Sequence, residues 1–328
     1  MNAPRPRIAI DAMGGDGGAA VTVPGALALA DVADLLFLGD ANAIRELLST
    51  CAGQFTPAGV QVIHASEQIE TGADLRTALR HRPDASMRRA LELLGAGRAD
   101  AVVSAGDTAA LMALSRQCLS TQPGVRRPAI CKAMMGAVGP FWMLDLGANL
   151  ECDAQELHQF ARLGSTLASG VGGLAAPRVA LLNVGTESAK GPAHIRAAAE
   201  TLRADTALNF VGYIEANRLF RGEADVVVAD GFAGNVALKA MEGAAWMAGH
   251  MLRRWFEGLG FIEQAALALA RSKIEGLRHE LNPERYNGAS FVGLTGVVVK
   301  SHGGADREGF ASAVRAAIQE VRAVSGGR

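Results

Sequence analysis

The sequence predicts an α/β fold: a doubly wound, mostly parallel sheet flanked by helices in a Rossmann-like three-layer sandwich, with a protruding helical hairpin. Three features point there. Short apolar runs alternate with helical segments, the order a parallel sheet needs because each crossover must return the chain to the starting edge. Most of these runs stop abruptly at glycine beside Asp, Asn, Lys, Ser or His. Two helical segments then follow each other across Gly258-Leu259-Gly260, so that 240–280 reads as a hairpin extension within a single domain over 1–328.

Ile8-Ala9-Ile10 is a short buried strand ending at Asp11, and the loop Ala12 to Gly18 holds Gly14, Gly15, Gly17 and Gly18, too many for a helix or strand interior. A helix over Val23 to Val32, a strand over Leu35 to Leu38 closed by Gly39-Asp40, a helix over Ala43 to Leu48 and a strand over Val60 to His64 continue the alternation. Ser86 to Gly95 is helical, in a locally basic stretch with Arg80, Arg82 and Arg88. Ala101 to Ser104 is a strand opening into Ala105-Gly106-Asp107-Thr108 and a helix from Ala109 to Leu119. Trp142 to Asn149 and Val179 to Glu187 repeat the strand-to-glycine pattern, the second adding Gly185, Lys190 and Gly191.

Val226-Val227-Val228 is an unbroken β-branched run suited to burial on both faces, and Asp230-Gly231 ends it. A helix starting there leaves amide donors that attract anions, with Asn235 and Lys239 adding side-chain donors. The alternative stays open that Gly231 and Gly234 only shape a turn and Lys239 only lies along a helix face. Helices over Ala240 to Gly258 and Ile262 to Leu277 gather Trp246, Trp255, Phe256, Leu259, Phe261 and Ile262, with Arg253 and Arg254 beside them. Such residues at helical spacing serve packing or subunit contact more often than lipid contact, for which the hairpin tip is the place. Thr295 to Lys300 is a strand closing in Ser301-His302-Gly303-Gly304, and Glu308 to Val324 is a terminal amphipathic helix. In a parallel sheet the polar ends of such strands share one edge, where open α/β folds bind ligands.

Composition narrows the function. With 328 residues, 49% hydrophobic and 20% charged, the chain can bury a large core. A formal net charge of -1 offers no global attraction for nucleic acid. Cys51, Cys118, Cys131 and Cys152 form no Cys-x-x-Cys pair, which argues against a disulfide framework or zinc knuckle and for a reducing cytoplasm. Asp11 and Asp16 interrupt the first apolar segment too early for a signal peptide, and no apolar run approaches the roughly 20 residues of a membrane span. There is no Gly-x4-Gly-Lys-Ser/Thr loop and no Gly-x-Ser-x-Gly elbow. Asp11, Asp145, Asp230, His302 and Asp306 have no recognised ligand spacing, so no metal is expected. Gly15-x-Gly17-x-x-Ala20, with Asp40 closing the next strand, matches a loose dinucleotide fingerprint, although two aspartates would crowd a pyrophosphate. An NAD(P)-dependent oxidoreductase is therefore an alternative.

Several blocks in one order resemble the PlsX-type phosphate acyltransferases of bacterial phospholipid synthesis. They are Ile8 to Asp16, Ser104 to Thr108, Leu144 to Asn149, Asn183 to Gly191, Asp225 to Glu242 and Gly293 to Gly303, and they span nearly the whole chain. The resemblance implies attack of inorganic phosphate on the thioester of fatty acyl-acyl carrier protein, giving acyl phosphate and free carrier. It also implies a homodimer, no metal or organic cofactor, a cytoplasmic enzyme loosely associated with the inner membrane face, and a downstream glycerol-3-phosphate acyltransferase as partner. Lys190, Asp230 and Asn235 match positions of the family's catalytic site, with Asp11, Gly14, Gly15, Lys300 and His302 in surrounding loops. Gly106, Asp107 and Gly185 complete the expected phosphate- and substrate-binding set. Trp255, Phe256, Leu259 and Phe261 are the expected membrane or partner contacts.

The residues suit that chemistry. Hydrogen phosphate is already nucleophilic near neutral pH, so the site must orient it and stabilise charge on the thioester oxygen. Charge-assisted hydrogen bonds contribute roughly 1.5–3 kcal/mol each, so loop amides plus a lysine can hold the anion. The expected roles are phosphate binding for Lys190, donation to phosphate or oxyanion for Asn235, and orientation by Asp230. Two departures stand out: Asp107 and Ala109 replace the usual Asn and Gly, and Tyr286-Asn287-Gly288-Ala289-Ser290 replaces Tyr-Gly-Gly-Ala-Pro. An ionised Asp about 4 Å from phosphate costs roughly 4 kcal/mol at an effective dielectric of 20, so Asp107 must be paired, protonated or turned away. A third reading, a non-catalytic scaffold bringing carrier protein to the membrane, takes Asp107 and Ala109 as marks of lost activity.

Overall fold

A computed structural model describes residues 5–52, 57–70, 72, 75–258 and 287–326. Among them, eleven strands form one sheet: β1 (Arg7–Asp11), β2 (Asp34–Gly39), β3 (Val60–His64), β4 (Ala101–Ser104), β5 (Ala129–Met135), β6 (Pro140–Leu144), β7 (Arg178–Leu182), β8 (Asn209–Ile214), β9 (Val226–Val228), β10 (Ala289–Val292) and β11 (Val297–Lys300). Their spatial order is β3-β2-β1-β4-β11-β10-β5-β6-β9-β7-β8. Seven of the ten pairings are parallel. The other three, β11 with β10, β10 with β5 and β5 with β6, are antiparallel and adjacent. The sheet is thus the mostly parallel α/β sheet that the sequence predicts.

One expectation changes. Three successive reversals leave β6, β9, β7 and β8 running opposite to β1, β4 and β11, so a flat sheet would put their polar ends on opposite edges. Sheets twist by about 20–25° per strand, and the four steps from β4 to β6 accumulate roughly a quarter turn. With this twist the ends of β4, β11 and β6 converge on one cleft. The reversal comes from β5 and β10, to which sequence reasoning assigned no strand: Ala129-Ile-Cys-Lys-Ala-Met-Met lacks both alternation and a β-branched run, and Ala289-Ser-Phe-Val is short.

Helices cover both faces: α1 (Ala19–Leu27), α2 (Ala41–Ala52), α3 (Leu75–His81), α4 (Ser86–Gly95), α5 (Thr108–Cys118), α6 (Ala154–Gly172), α7 (Ala193–Ala204), α8 (Gly231–Glu257) and α9 (Arg307–Gly326). Alternation along the strands sorts the core. Ala9, Val102, Val298 and Val227 face a cluster that runs across both halves with α4 and α5. Ile10, Val103 and Val299 point the other way into a cluster with α1 and α9, and Val226 and Val228 into one with α6 and α7. The Val226-Val227-Val228 run is wholly buried, as its composition predicts. Helix α6 begins with a capping box, Asp153 accepting from the Glu156 amide and Glu156 from the Asp153 amide, a signature the sequence already carries. The first helix starts earlier than expected, at Ala19, and ends at Leu27.

Beyond its first turns α8 leaves the sheet, with Trp246 72% and Trp255 59% exposed. It is one continuous helix through the expected start of the hairpin. The second hairpin helix, with Leu259 and Phe261, lies outside the described residues.

At the sheet's centre, the Ser290 hydroxyl donates to Glu320 Oε2 at 2.6 Å. Burial lifts the Glu320 carboxyl to about 7, opposed by that hydrogen bond. The folded state therefore holds this proton more tightly than the unfolded chain, whose ordinary value is 4.5, and the stability present below that value declines as pH rises through about 7. Glu320→Gln is expected to raise stability at pH 8 by about 2 kcal/mol and hardly at all at pH 4.5. Urea unfolding at the two pH values measures this, and equal effects at both would refute it.

Candidate active site

Two groups of loops meet at the cleft, each organised by a buried carboxylate. In the first, Asp11 ends β1 and is 1% exposed. The Ser86 hydroxyl donates to its Oδ1 and the Ser104 hydroxyl to its Oδ2, both at 2.6 Å. Burial raises the Asp11 carboxyl, against the lowering effect of these two hydroxyls. Gly14 packs so closely that a Cβ there would lie 2.7 Å from Asp11 Oδ2 and from the Gly106 amide. Gly15, at φ 84°, is pressed against Ala105 and the Gly303 carbonyl. Asp11, Gly14, Gly15 and Gly106 thus tie the ends of β1, β4 and β11 together behind the cleft and do not line it.

In the second group Asp145, fully buried after β6, accepts from the amides of Ile130 (2.9 Å), Gly147 (3.3 Å), Ala148 (3.1 Å) and Asn149 (2.7 Å). Burial raises its carboxyl as well, and these donors pull it down. The loop it shapes receives the root of α8: a Cβ at Gly234 would lie 1.9 Å from the Asp145 carbonyl, and one at Gly231 2.5 Å from that of Asn149. Asp230 caps α8, accepting from the Ala233 amide at 2.7 Å, and its other oxygen lies 3.3 Å from His194 Nε2. Lys190 sits on an exposed loop and pairs with Glu187 at 3.4 Å, beside buried Gly185 and outside the cleft.

Between the groups lies a pocket of 390 Å³ lined by Thr108, Lys132, Gly147, Asn235, Lys239, Glu242, Asn287, Lys300, His302 and Gly303, with an apolar wall of Ile130, Leu146 and Leu238. Three lysines against one glutamate make it formally cationic. Hollows of 590 and 550 Å³ occur along α4–α5 and α6–α9, but they are open to solvent and away from the strand ends. Asn235 is half-buried beside Gly147, and its amide has no hydrogen-bond partner among the described residues. Lys239 pairs with Glu242 at 2.9 Å. Lys300 Nζ donates to the Ala105 carbonyl at 3.2 Å and to that of Ser301. Burial lowers its ammonium to about 8, opposed by Asp107, Asp11 and Asp16. The Gly304 amide donates to His302 Nδ1 at 3.1 Å, leaving the proton on Nε2. Asn287 holds this loop, accepting from the His302 amide at 3.0 Å and donating to the Ser301 hydroxyl at 2.8 Å. Asp107 is turned into its own helix as the cap of α5, accepting from the Ala110 amide at 2.9 Å.

Of the expected residues, the structure brings Asn235, Lys300 and His302 together in the pocket, with Asp107 at its rim and Asp230 at the root of the helix that carries Asn235. Trp255 and Phe256 are distant along α8, their rings 5.2 Å apart. Lys132 and His194 have no place in the sequence reading, and Asn287 stands there only as a departure in a turn, with no part in the site. Lys132 lies on the unassigned strand β5, whereas His194 follows Gly191-Pro192 in the first turn of a helix, where proline favours helix entry and could have flagged it.

Fold and pocket define an α/β protein with a cationic cleft between two half-sheets. The fatty acid synthesis protein family matches residues 6–325. A phosphate acyltransferase of Pseudomonas syringae pv. syringae is 49% identical over 97% of this chain and 93% of its own, and one of Pseudomonas aeruginosa is 50% identical over 97% and 94%. The chain belongs to this phosphate acyltransferase family and is an enzyme. Among solved structures, a phosphotransacetylase from Streptococcus pyogenes (TM-score 0.65, 16% identity, 98% of this chain and 94% of that one) shares the fold. A 4-hydroxythreonine-4-phosphate dehydrogenase from Klebsiella pneumoniae (TM-score 0.55, 14% identity, 97% and 100%) also shares it. At such identity the dehydrogenase speaks for the fold alone, and the oxidoreductase reading of Gly15-x-Gly17-x-x-Ala20 is not favoured.

Asp145 is the test of this architecture. Asp145→Ala leaves four amides, two of them buried and two part-buried, without their acceptor and is expected to lose about 3–5 kcal/mol, with Asp145→Asn losing less. Denaturant unfolding measures both, and a loss below 1 kcal/mol for the alanine variant would show the loop to be held otherwise.

Proposed function

We propose that the enzyme transfers a fatty acyl group from the thioester of acyl carrier protein to inorganic phosphate in the pocket between the half-sheets. The observation that carries this is the convergence of Lys132, Lys239, Lys300, Asn235 and His302 on one pocket, beside the start of α5 and against an apolar wall. Lysines and a helix N-terminus favour a small oxyanion, and Ile130, Leu146 and Leu238 suit the first carbons of an acyl chain.

In this reading Lys300 holds phosphate, with Lys239 and Lys132 completing the cradle. A phosphate oxygen attacks the thioester carbon, and charge moves to the carbonyl oxygen, where the Asn235 amide or His302 Nε2–H donates. The C–S bond then breaks, acyl phosphate forms, and the carrier leaves as thiolate and takes, directly or through solvent, the proton that hydrogen phosphate gives up. No step requires a cofactor. Asp230 acts by fixing the start of α8 and hence Asn235. Lys190, exposed beside Glu187, attracts acidic substrates at longer range. Homodimerisation and contact of the far end of α8 with a membrane surface belong to the same proposal, supported by exposed Trp246, Met251 and Trp255. No helix among the described residues is long and apolar enough to cross a membrane. A cytoplasmic enzyme that hands acyl phosphate to a glycerol-3-phosphate acyltransferase fits this placement.

Incubation with long-chain acyl-carrier protein and phosphate should give acyl phosphate and free carrier, and thioester loss independent of phosphate would count against the proposal. Asn235→Ala is expected to lower kcat by about 10²-fold, as loss of an oxyanion donor does. Lys190→Ala should lower kcat/KM only a few-fold, and only at low salt. A larger loss for Lys190 than for Asn235 would move the phosphate site to the Lys190 loop.

A further inference from the structure

We infer that Asp107, without touching the anion, sets how the affinity of this pocket for phosphate depends on pH: its charge acts on Lys300, as a positioning residue, and repels the anion from a distance. The inference rests on the reading of the pocket as the phosphate site.

The backbone places the two groups together. Strands β4 and β11 are parallel with Lys300 beside Ser104, and the Lys300 ammonium donates to the carbonyl of Ala105, two residues before Asp107. Asp107 is fixed by its bond from the Ala110 amide, and the next residue, Thr108, lines the pocket with Lys300. Asn caps a helix about as well as Asp, so capping needs the oxygen at this position but not its charge. The charge acts on Lys300.

Lys300 is faced by charges from several elements: Asp11 at the end of β1, Asp16 in the loop after it, Asp107 at the start of α5 and Lys239 on α8. Lys132 of β5, Glu242 of α8 and His302 line the same pocket. Burial draws the Lys300 ammonium down to about 8, Asp107 gives the largest opposing effect, and Lys239 adds to the lowering. Asp11 is committed to Ser86 and Ser104. Asp107 is therefore the charge that can be removed while its hydrogen bond is kept.

Its removal has two effects of opposite sign. At pH well below 8 Lys300 is charged with or without Asp107, so only the direct repulsion between Asp107 and phosphate changes, and binding tightens. At higher pH the loss of Asp107 lets burial carry Lys300 further down, so the cation disappears at lower pH and binding weakens. The affinity profiles of the two proteins must cross.

The experiment is the KM for inorganic phosphate, with a long-chain acyl-carrier protein thioester, from pH 6 to 9 for the native enzyme and Asp107→Asn. The ratio of native to variant KM cancels the titration of phosphate itself. It is expected to be about 2–5 at pH 6 and to fall below 1 at pH 9. Asp107→Ser, another uncharged cap, should reproduce the crossing, and replacing Lys300 by Met in both backgrounds should abolish it. A ratio that stays constant with pH, as loss of structure alone would give, overturns the role of Asp107. If the native enzyme consumes no thioester in dependence on phosphate, the functional reading falls and this inference with it.

Discussion

The cleft depends on a change of direction in the middle of the sheet. Three consecutive antiparallel contacts through β10 and β5 invert one half relative to the other, and the accumulated twist then swings the ends of β6 and β9 toward those of β4 and β11. A uniformly parallel sheet of this width would place its terminal loops along one long edge, too far apart for one small ligand to touch more than two or three of them. Inversion plus twist gathers loops from distant parts of the chain around 390 Å³.

Within that frame the acidic and basic residues divide the work. Asp11 and Asp145 are buried and saturated by protein donors, while Asp107 and Asp230 cap α5 and α8. The carboxylates thus shape loops and helix starts, where an anion is favourable. The lysines line the free volume. This arrangement resolves the apparent conflict of aspartates near a phosphate site: their negative charge is spent on backbone amides and hydroxyls, and the groups left facing the pocket are largely donors.

Much of this was legible in the sequence. The β-branched run at Val226 to Val228 and the glycine-bounded ends of β1, β4, β6, β7 and β11 identify strands and loops, because burial on both faces and tight turns leave strong local signatures. Asn235, Lys300 and His302 were legible because each follows such an end. The antiparallel pair β5 and β10 was not, since Lys132 interrupts one run and the other spans only Ala289–Val292. With it went Lys132, the role of Asn287 and the relation between the halves, a property of pairing and not of any one segment. Lys190 was expected in the site through the family resemblance, and the Asn183 side chain, donating to the Gly185 and Lys190 carbonyls, folds its loop on itself and leaves the Lys190 side chain outside the pocket.

Helix α8 runs for 27 residues, about 40 Å at 1.5 Å per residue. One end is wedged by Gly231 and Gly234 against the loop of Asp145, and the other is exposed among the described residues. Gly243 and Gly249, with no described residue close to a Cβ added at either, lie along the exposed part. The element therefore behaves as a cantilever clamped at the chemistry: a load applied at its tip bends it first at those glycines, and what reaches the clamp is a tilt of Asn235 against Gly147.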